Sequence, residues 1–228
     1  MSLVSELYIF LKNPKELNTK GKKNITLIKE FIVYDLVITI LWAFLTAICT
    51  LLLDDFDSVF KSKKTIDDNT IYSFLVISII SPILEELAFR FSLRISRLTI
   101  SVSLAVQLIF YLHLFKFIHV NFNYRIILMI IAAIVFYFTI SKRLSVYFKQ
   151  KINFYIYFNL LVFTLLHVLN FSYFEVHQYL YIPILVSLQF FFGLYLTYVR
   201  LKYNFLYVIG FHIFHNSLIV YLGFLMKP

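Results

Sequence analysis

Ser81-Pro82-Ile83-Leu84-Glu85-Glu86-Leu87-Ala88-Phe89-Arg90 puts two adjacent carboxylates and a guanidinium at the end of a run that is otherwise uncharged from Ile71 onward. Whether those charges sit in water or in lipid decides the fold. In a bilayer each costs at least a few kcal/mol near the centre unless it is paired or hydrated, so charges kept there are functional candidates by default.

The composition answers in favour of lipid. The chain of 228 residues is 61% hydrophobic and 14% charged, with four Gly and four Pro, and its mean hydropathy is +0.84. Soluble domains stand nearer one half apolar and one quarter charged. The lone cysteine, Cys49, lies in an apolar run, which excludes a disulfide framework and a thiolate metal cluster. The net charge of +9 comes from Lys and Arg spread over short segments between apolar runs. That is a topology signal rather than a nucleic-acid-binding face, and no nucleic-acid partner is expected.

Seven apolar runs follow a polar, lysine-rich segment at residues 1–30. They fall at about 31–53, 71–94, 98–118, 125–141, 154–174, 179–199 and 204–225, each near the roughly 20 residues that a spanning helix needs. The apolar stretch Leu7 to Leu11 is short and is followed by Lys12 and Asn13, so no cleavable signal peptide is expected. With the N-terminus inside, the segments 1–30, 90–97, 141–153 and 200–203 carry 15 of the 21 Lys and Arg. This bias predicts a cytoplasmic N-terminus and an outer C-terminus. A backbone in lipid satisfies its own hydrogen bonds, so the expected fold is all-α: a polytopic membrane bundle of about seven transmembrane helices over 31–228, with its chemistry between helices. The longest connection, Asp54 to Thr70, is too short for a soluble domain.

Few acids and histidines remain inside the runs: Asp35, Glu85, Glu86, His113, His167, His212 and His215. Asp35 lies near a helix start and is expected at the interface; His113 is expected as a packed residue. Glu86 and Arg90 are four apart, hence on one helical face, and are expected to pair. Glu85 points about 100° away from Glu86, with no base three or four positions from it, which suits a general base. Pro82, three residues before Glu85, is expected to bend the helix. Asn170 follows His167 by one turn, and His212 and Asn216 share a face with His215 turned partly aside.

Together, Glu85-Glu86-x-x-x-Arg90, Phe163-x-x-x-His167 and His212-x-x-x-Asn216 resemble the three motifs of the CPBP family, which includes type II CAAX prenyl endopeptidases and bacteriocin-processing and self-immunity proteins. The resemblance covers about 81–218, with further likeness in Arg200-Leu201-Lys202-Tyr203. One such spacing alone is weak, whereas three in order, each inside a span, are specific. The 82 residues from Glu85 to His167 exceed the family's usual adjacent-helix arrangement and hold two extra runs. A second FxxxH, Phe115 to His119, abuts Lys116 at a run's end, and His167 is preferred. The run boundaries set His167 nearer the outer side than Glu85.

The resemblance implies an intramembrane endopeptidase. Glu85 with His167 would activate water against a peptide bond, His212 and Asn216 would stabilise the oxyanion, and Glu86 and Arg90 would support Glu85. The four isolated glycines, at 21, 193, 210 and 223, exclude a serine nucleophile elbow. The family carries a metalloprotease name, and Glu85, His167 and His212 form a three-ligand set of catalytic zinc type. The HExxH spacing is absent, and the resemblance implies a metal-independent mechanism. No cofactor is therefore expected, zinc being the alternative. The implied substrate is a membrane-embedded or lipidated peptide, reached through the bilayer. The Lys, Ile, Asn, Phe and Tyr richness suits an AT-rich bacterial genome, so the expected location is a bacterial cell membrane. A non-catalytic binding or immunity protein and a small transporter are the alternatives; the paired broken helices of a transporter are not visible.

Overall fold

Pro82 has no N–H to donate one turn back, and its ring crowds that turn. In the computed structural model, which describes residues 3–14, 24–53, 55–60, 70–114, 117, 121–171 and 174–225, the second apolar run answers with a change of pitch. Helix α3 (Thr70–Leu75) widens into a π turn at Val76–Ile80, where the Ser81 N–H donates to Val76 O five residues back, before helix α4 (Ser81–Phe89) takes up Pro82 in its first turn. The N–H groups of a helix's first turn find no acceptor within that helix, so a proline there costs little.

Most described residues of each of the seven runs are helical, and the described residues contain no strand. Chain order before that run is α1 (Leu3–Lys12) and α2 (Asn24–Leu52); after it come α5 (Arg97–Leu114), α6 (Phe122–Phe138), α7 (Ser141–Gln150), α8 (Ile152–Leu166), α9 (Ile182–Leu185), α10 (Ser187–Lys202) and α11 (Phe205–Leu225). Four described stretches are long and apolar enough to cross a membrane, namely Asn24–Leu52, Ile152–Asn170, Val176–Lys202 and Phe205–Leu222. The bent pair Asn123–Phe138 and Ser141–Gln150, at 73° to one another, raises this to five if it makes one span. The segment 141–153, read from sequence as a loop, is thus largely helix α7, with Ser141 and Ser145 buried and Lys142, Arg143 and Lys149 exposed.

Helix α10 is central. Tyr195, Leu196, Tyr198 and Val199 are fully enclosed, and α10 packs on α8, α11, α2 and α1. Helix α2 instead exposes Ile40, Leu41, Phe44 and Leu51, an apolar surface compatible with a helix in lipid.

Polar contacts gather at two ends. At one end Lys202 Nζ lies 2.6 Å from Glu6 Oε2, a carboxylate that also accepts from the Tyr198 hydroxyl. There too Arg94 donates to Tyr203 O, Tyr157 to Leu11 O, and Asn153 Nδ2 to Asn13 Oδ1 at 3.4 Å. At the other end Gln178 Nε2 donates to Ser58 Oγ at 2.8 Å, and Phe56 meets Tyr181 edge-on. The first group joins segments 1–30, 90–97, 141–153 and 200–203; the second joins 54–70 to 170–180.

Candidate active site

Spacing on one helix brings Glu86 and Arg90 together. Arg90 Nη1 donates to Glu86 Oε1 at 2.8 Å, and both side chains are almost wholly buried, at 1% and 0% exposed. The Arg90 guanidinium also lies over the Phe163 ring, 3.6 Å from its centroid, a cation–π contact that strengthens when water is excluded. Arg90 needs room, and Gly193 of α10 supplies it: a Cβ there would stand 2.9 Å from Arg90 Nη2 and 3.0 Å from both Leu160 and Phe163.

His212 comes from α11 onto the same carboxylate. Its Nδ1 lies 2.7 Å from Glu86 Oε1; since a carboxylate only accepts, that nitrogen carries the proton and Nε2 is turned toward Glu85, 3.7 Å from its Oε2. His167 is set the same way. Its Nδ1 donates to Phe163 O at 2.8 Å, and its Nε2 stands 3.8 Å from Glu85 Oε2. That oxygen is buried and has no hydrogen-bond partner among the described residues. Glu85 Oε2 therefore faces two imidazole edges with its lone pairs unused by the described residues.

The depth difference between Glu85 and His167 is closed by side-chain lean. Helices α4 and α8 run antiparallel, as shown by the pairs Tyr155–Ser92, Phe163–Phe89 and His167–Glu85. From the first pair, His167 is 12 residues along α8 and Glu85 seven residues back toward α4, about 18 and 10 Å at the helical rise. Helical side chains lean toward their own N-termini. In an antiparallel pair these two lean toward each other, His167 as far as the Phe163 carbonyl.

Glu85, His167, His212 and Asn216 line one cavity of about 510 Å³, with Ser81, Gln189 and His215 also on its wall. Glu85 and His167 further share a small cavity of about 60 Å³ with Phe110 and Asn170. The Asn216 amide donates to Ile77 O at 3.1 Å, a carbonyl of the π turn, which leaves its second N–H for another acceptor.

Helix α4 ends inside the bundle, so its last carbonyls need foreign donors. Ser103 Oγ donates to Leu87 O at 2.7 Å and Gln107 Nε2 to Ala88 O at 2.8 Å, both from α5. Arg200 donates to Arg90 O and Phe91 O, each at 2.9 Å. The sequence signal for Ser103 and Gln107 was polarity inside an apolar run, the same signal that marked Glu85, while Arg200 stood in the segment just before the last run.

Two sequence expectations fail. Asp35, expected at the interface, is 2% exposed and lies 2.6 Å from His215 Nδ1. His113, expected as a packed residue, is exposed near the end of α5. Both errors follow from judging depth by distance from a run's end, which tells nothing of the face a residue takes. Phe115, Lys116 and His119 lie outside the described residues.

Among the described residues no group of three His, Cys, Asp or Glu side chains is arranged to hold a metal ion. His212 spends one ring nitrogen on Glu86, and Glu85 Oε2 meets both imidazole edges at longer than hydrogen-bond distance. The chain matches no protein-family model, no curated protein and no solved structure.

Proposed function

We propose that the chain is a CPBP-like intramembrane endopeptidase that hydrolyses a peptide bond of a membrane-embedded or lipidated substrate. The observation that carries this reading is the convergence of Glu85, His167 and His212 on one cavity, from three helices far apart in sequence, backed by the buried Glu86–Arg90 pair.

In the proposed reaction Glu85 Oε2 takes a proton from a water molecule whose oxygen bonds to the scissile carbonyl carbon, and His167 aligns that water from the other side. The tetrahedral oxyanion is held by the free N–H of Asn216, with His212, whose Nδ1–H rests on Glu86, beside it. Removing one such preorganised donor typically costs about 10²–10³ in rate. Glu86 and Arg90 are positioning residues: they touch His212 and Phe163 rather than the substrate. No step runs through a metal.

The chain in this reading crosses a bacterial cell membrane seven times with its N-terminus inside. The segments predicted inside meet at one end of the bundle through Glu6–Lys202 and Arg94–Tyr203, while two predicted outside meet at the other through Gln178–Ser58, which supports the alternation. The test is cleavage of a membrane-peptide library by purified, detergent-solubilised protein, with Glu85→Gln and His167→Ala alongside. Products formed by the wild type and lost in both variants are expected; identical product patterns from all three would reject the site.

A further inference from the structure

Hydrolysis of an amide needs more than a base. An amine does not leave as an anion, so the departing nitrogen must receive a proton, and the reading above leaves open which group gives it. The cavity wall holds an unused donor. His215 lies on α11 three residues beyond His212, and its Nδ1 is 2.6 Å from Asp35 Oδ1 of α2. Both side chains are buried, at 6% and 2% exposed. The imidazole stacks on Phe192 of α10, with centroids 4.0 Å apart and planes 23° apart, so carboxylate and aromatic ring together fix its orientation. With Nδ1 given to Asp35, Nε2 is the ring nitrogen not engaged by it, and His215 lines the same cavity as Glu85. An imidazole whose Nδ1 is held by a buried carboxylate is the arrangement that moves a proton to a leaving group in acyl transfer. A His buried only for packing has no need of an acid at that distance, and a membrane-buried Asp is costly without a purpose.

We propose that His215, oriented by Asp35, is the general acid of the reaction. This rests on the endopeptidase reading. His215 enters the step as imidazolium, with Nδ1–H on Asp35 and a second proton on Nε2. Water loses a proton to Glu85 and its oxygen bonds to carbon; the C–N bond then breaks, and the electron pair left on nitrogen takes the Nε2 proton, leaving His215 neutral until it is reprotonated. The products are a carboxylic acid and a neutral amine. The proton on Glu85 returns to His215 through solvent in the cavity, so one water is consumed and both groups are restored. Asp35 does not touch substrate and is a positioning residue.

The experiment compares two versions of one probe, the library peptide that the wild type cuts, made with its scissile amide intact and with sulfur in place of the scissile N–H. A thiol of pKa about 8.5 leaves as thiolate and needs no proton. His215→Gln is expected to lose roughly 10²–10⁴ on the amide but far less on the thioester, and Asp35→Asn to show the same selectivity more weakly. Glu85→Gln is expected to lose both. Equal losses on the two probes in His215→Gln overturn the general-acid role while leaving Glu85 in place. If neither probe is hydrolysed in a Glu85-dependent way, the endopeptidase reading itself falls.

Discussion

Nδ1 of His212 lies 2.7 Å from Oε1 of Glu86, the oxygen that also accepts from Nη1 of Arg90 at 2.8 Å. One carboxylate oxygen therefore joins α11 to the guanidinium at the end of α4. The adjacent Glu85 carries none of that load. The two glutamates are alike in sequence and different in task, and substitution separates them.

Glu85→Gln removes the proposed proton acceptor and little else. Cleavage is expected to fall by about 10²–10⁴, while the thermal unfolding temperature in detergent stays near wild type. A large drop in that temperature would show Glu85 to be structural.

Glu86→Gln leaves Arg90 buried without its counter-charge. Breaking a buried pair from one side typically costs about 3–5 kcal/mol, whereas replacing both partners with apolar or neutral groups is often close to neutral. Thermal unfolding is therefore expected to order wild type and the double variant Glu86→Gln/Arg90→Met above Glu86→Gln alone. Additive losses in the double variant would mean that the pair does not interact in the folded protein.

Gly193→Ala pushes a methyl group against Arg90, Leu160 and Phe163 at 2.9–3.0 Å. Overpacking of this kind costs about 1–3 kcal/mol. Gly210→Ala is the matched control, because a Cβ there meets nothing within 4 Å; replacing glycine in a helix interior should leave it level or stabilise it by up to about 1 kcal/mol. Unfolding curves for the two variants that coincide would contradict the close approach of α10 to Arg90.

Chelation of divalent metals is expected to leave the cleavage rate unchanged, since no proposed step needs a metal. Loss of activity with a chelator, and its return with zinc, would assign Glu85, His167 and His212 as ligands instead.

Much of the site was legible because lipid makes polarity conspicuous. Glu85, Glu86 and Arg90 stand out in an uncharged run, and the i, i+4 spacing alone pairs the last two. His167 and His212 were legible as residue types at fixed spacings, but not their meeting with Glu85, which depends on the antiparallel course of α4 and α8. Pro82 marked an irregular helix, though not that the irregularity would be a π turn whose Ile77 carbonyl receives Asn216. Asp35 with His215 was invisible, because their separation of 180 residues carries no local pattern. Gln107 and Ser103 were missed, and the partners of Arg200 with them, for a related reason: the carbonyls they serve are backbone groups, which no side-chain motif advertises.

The long reach between Glu86 and His212 also has a consequence in time. Ribosomes add about 5–20 residues per second, so the 126 residues separating these two partners take roughly 6 to 25 s to make. Throughout that interval the second run is already synthesised and α11 does not exist. Arg90, four residues away, is the partner that Glu86 can find at once. If the second run enters a bilayer as proposed, the ion pair at the heart of the finished site is thus also what would make its nascent helix tolerable to the membrane before the rest of the site has been translated.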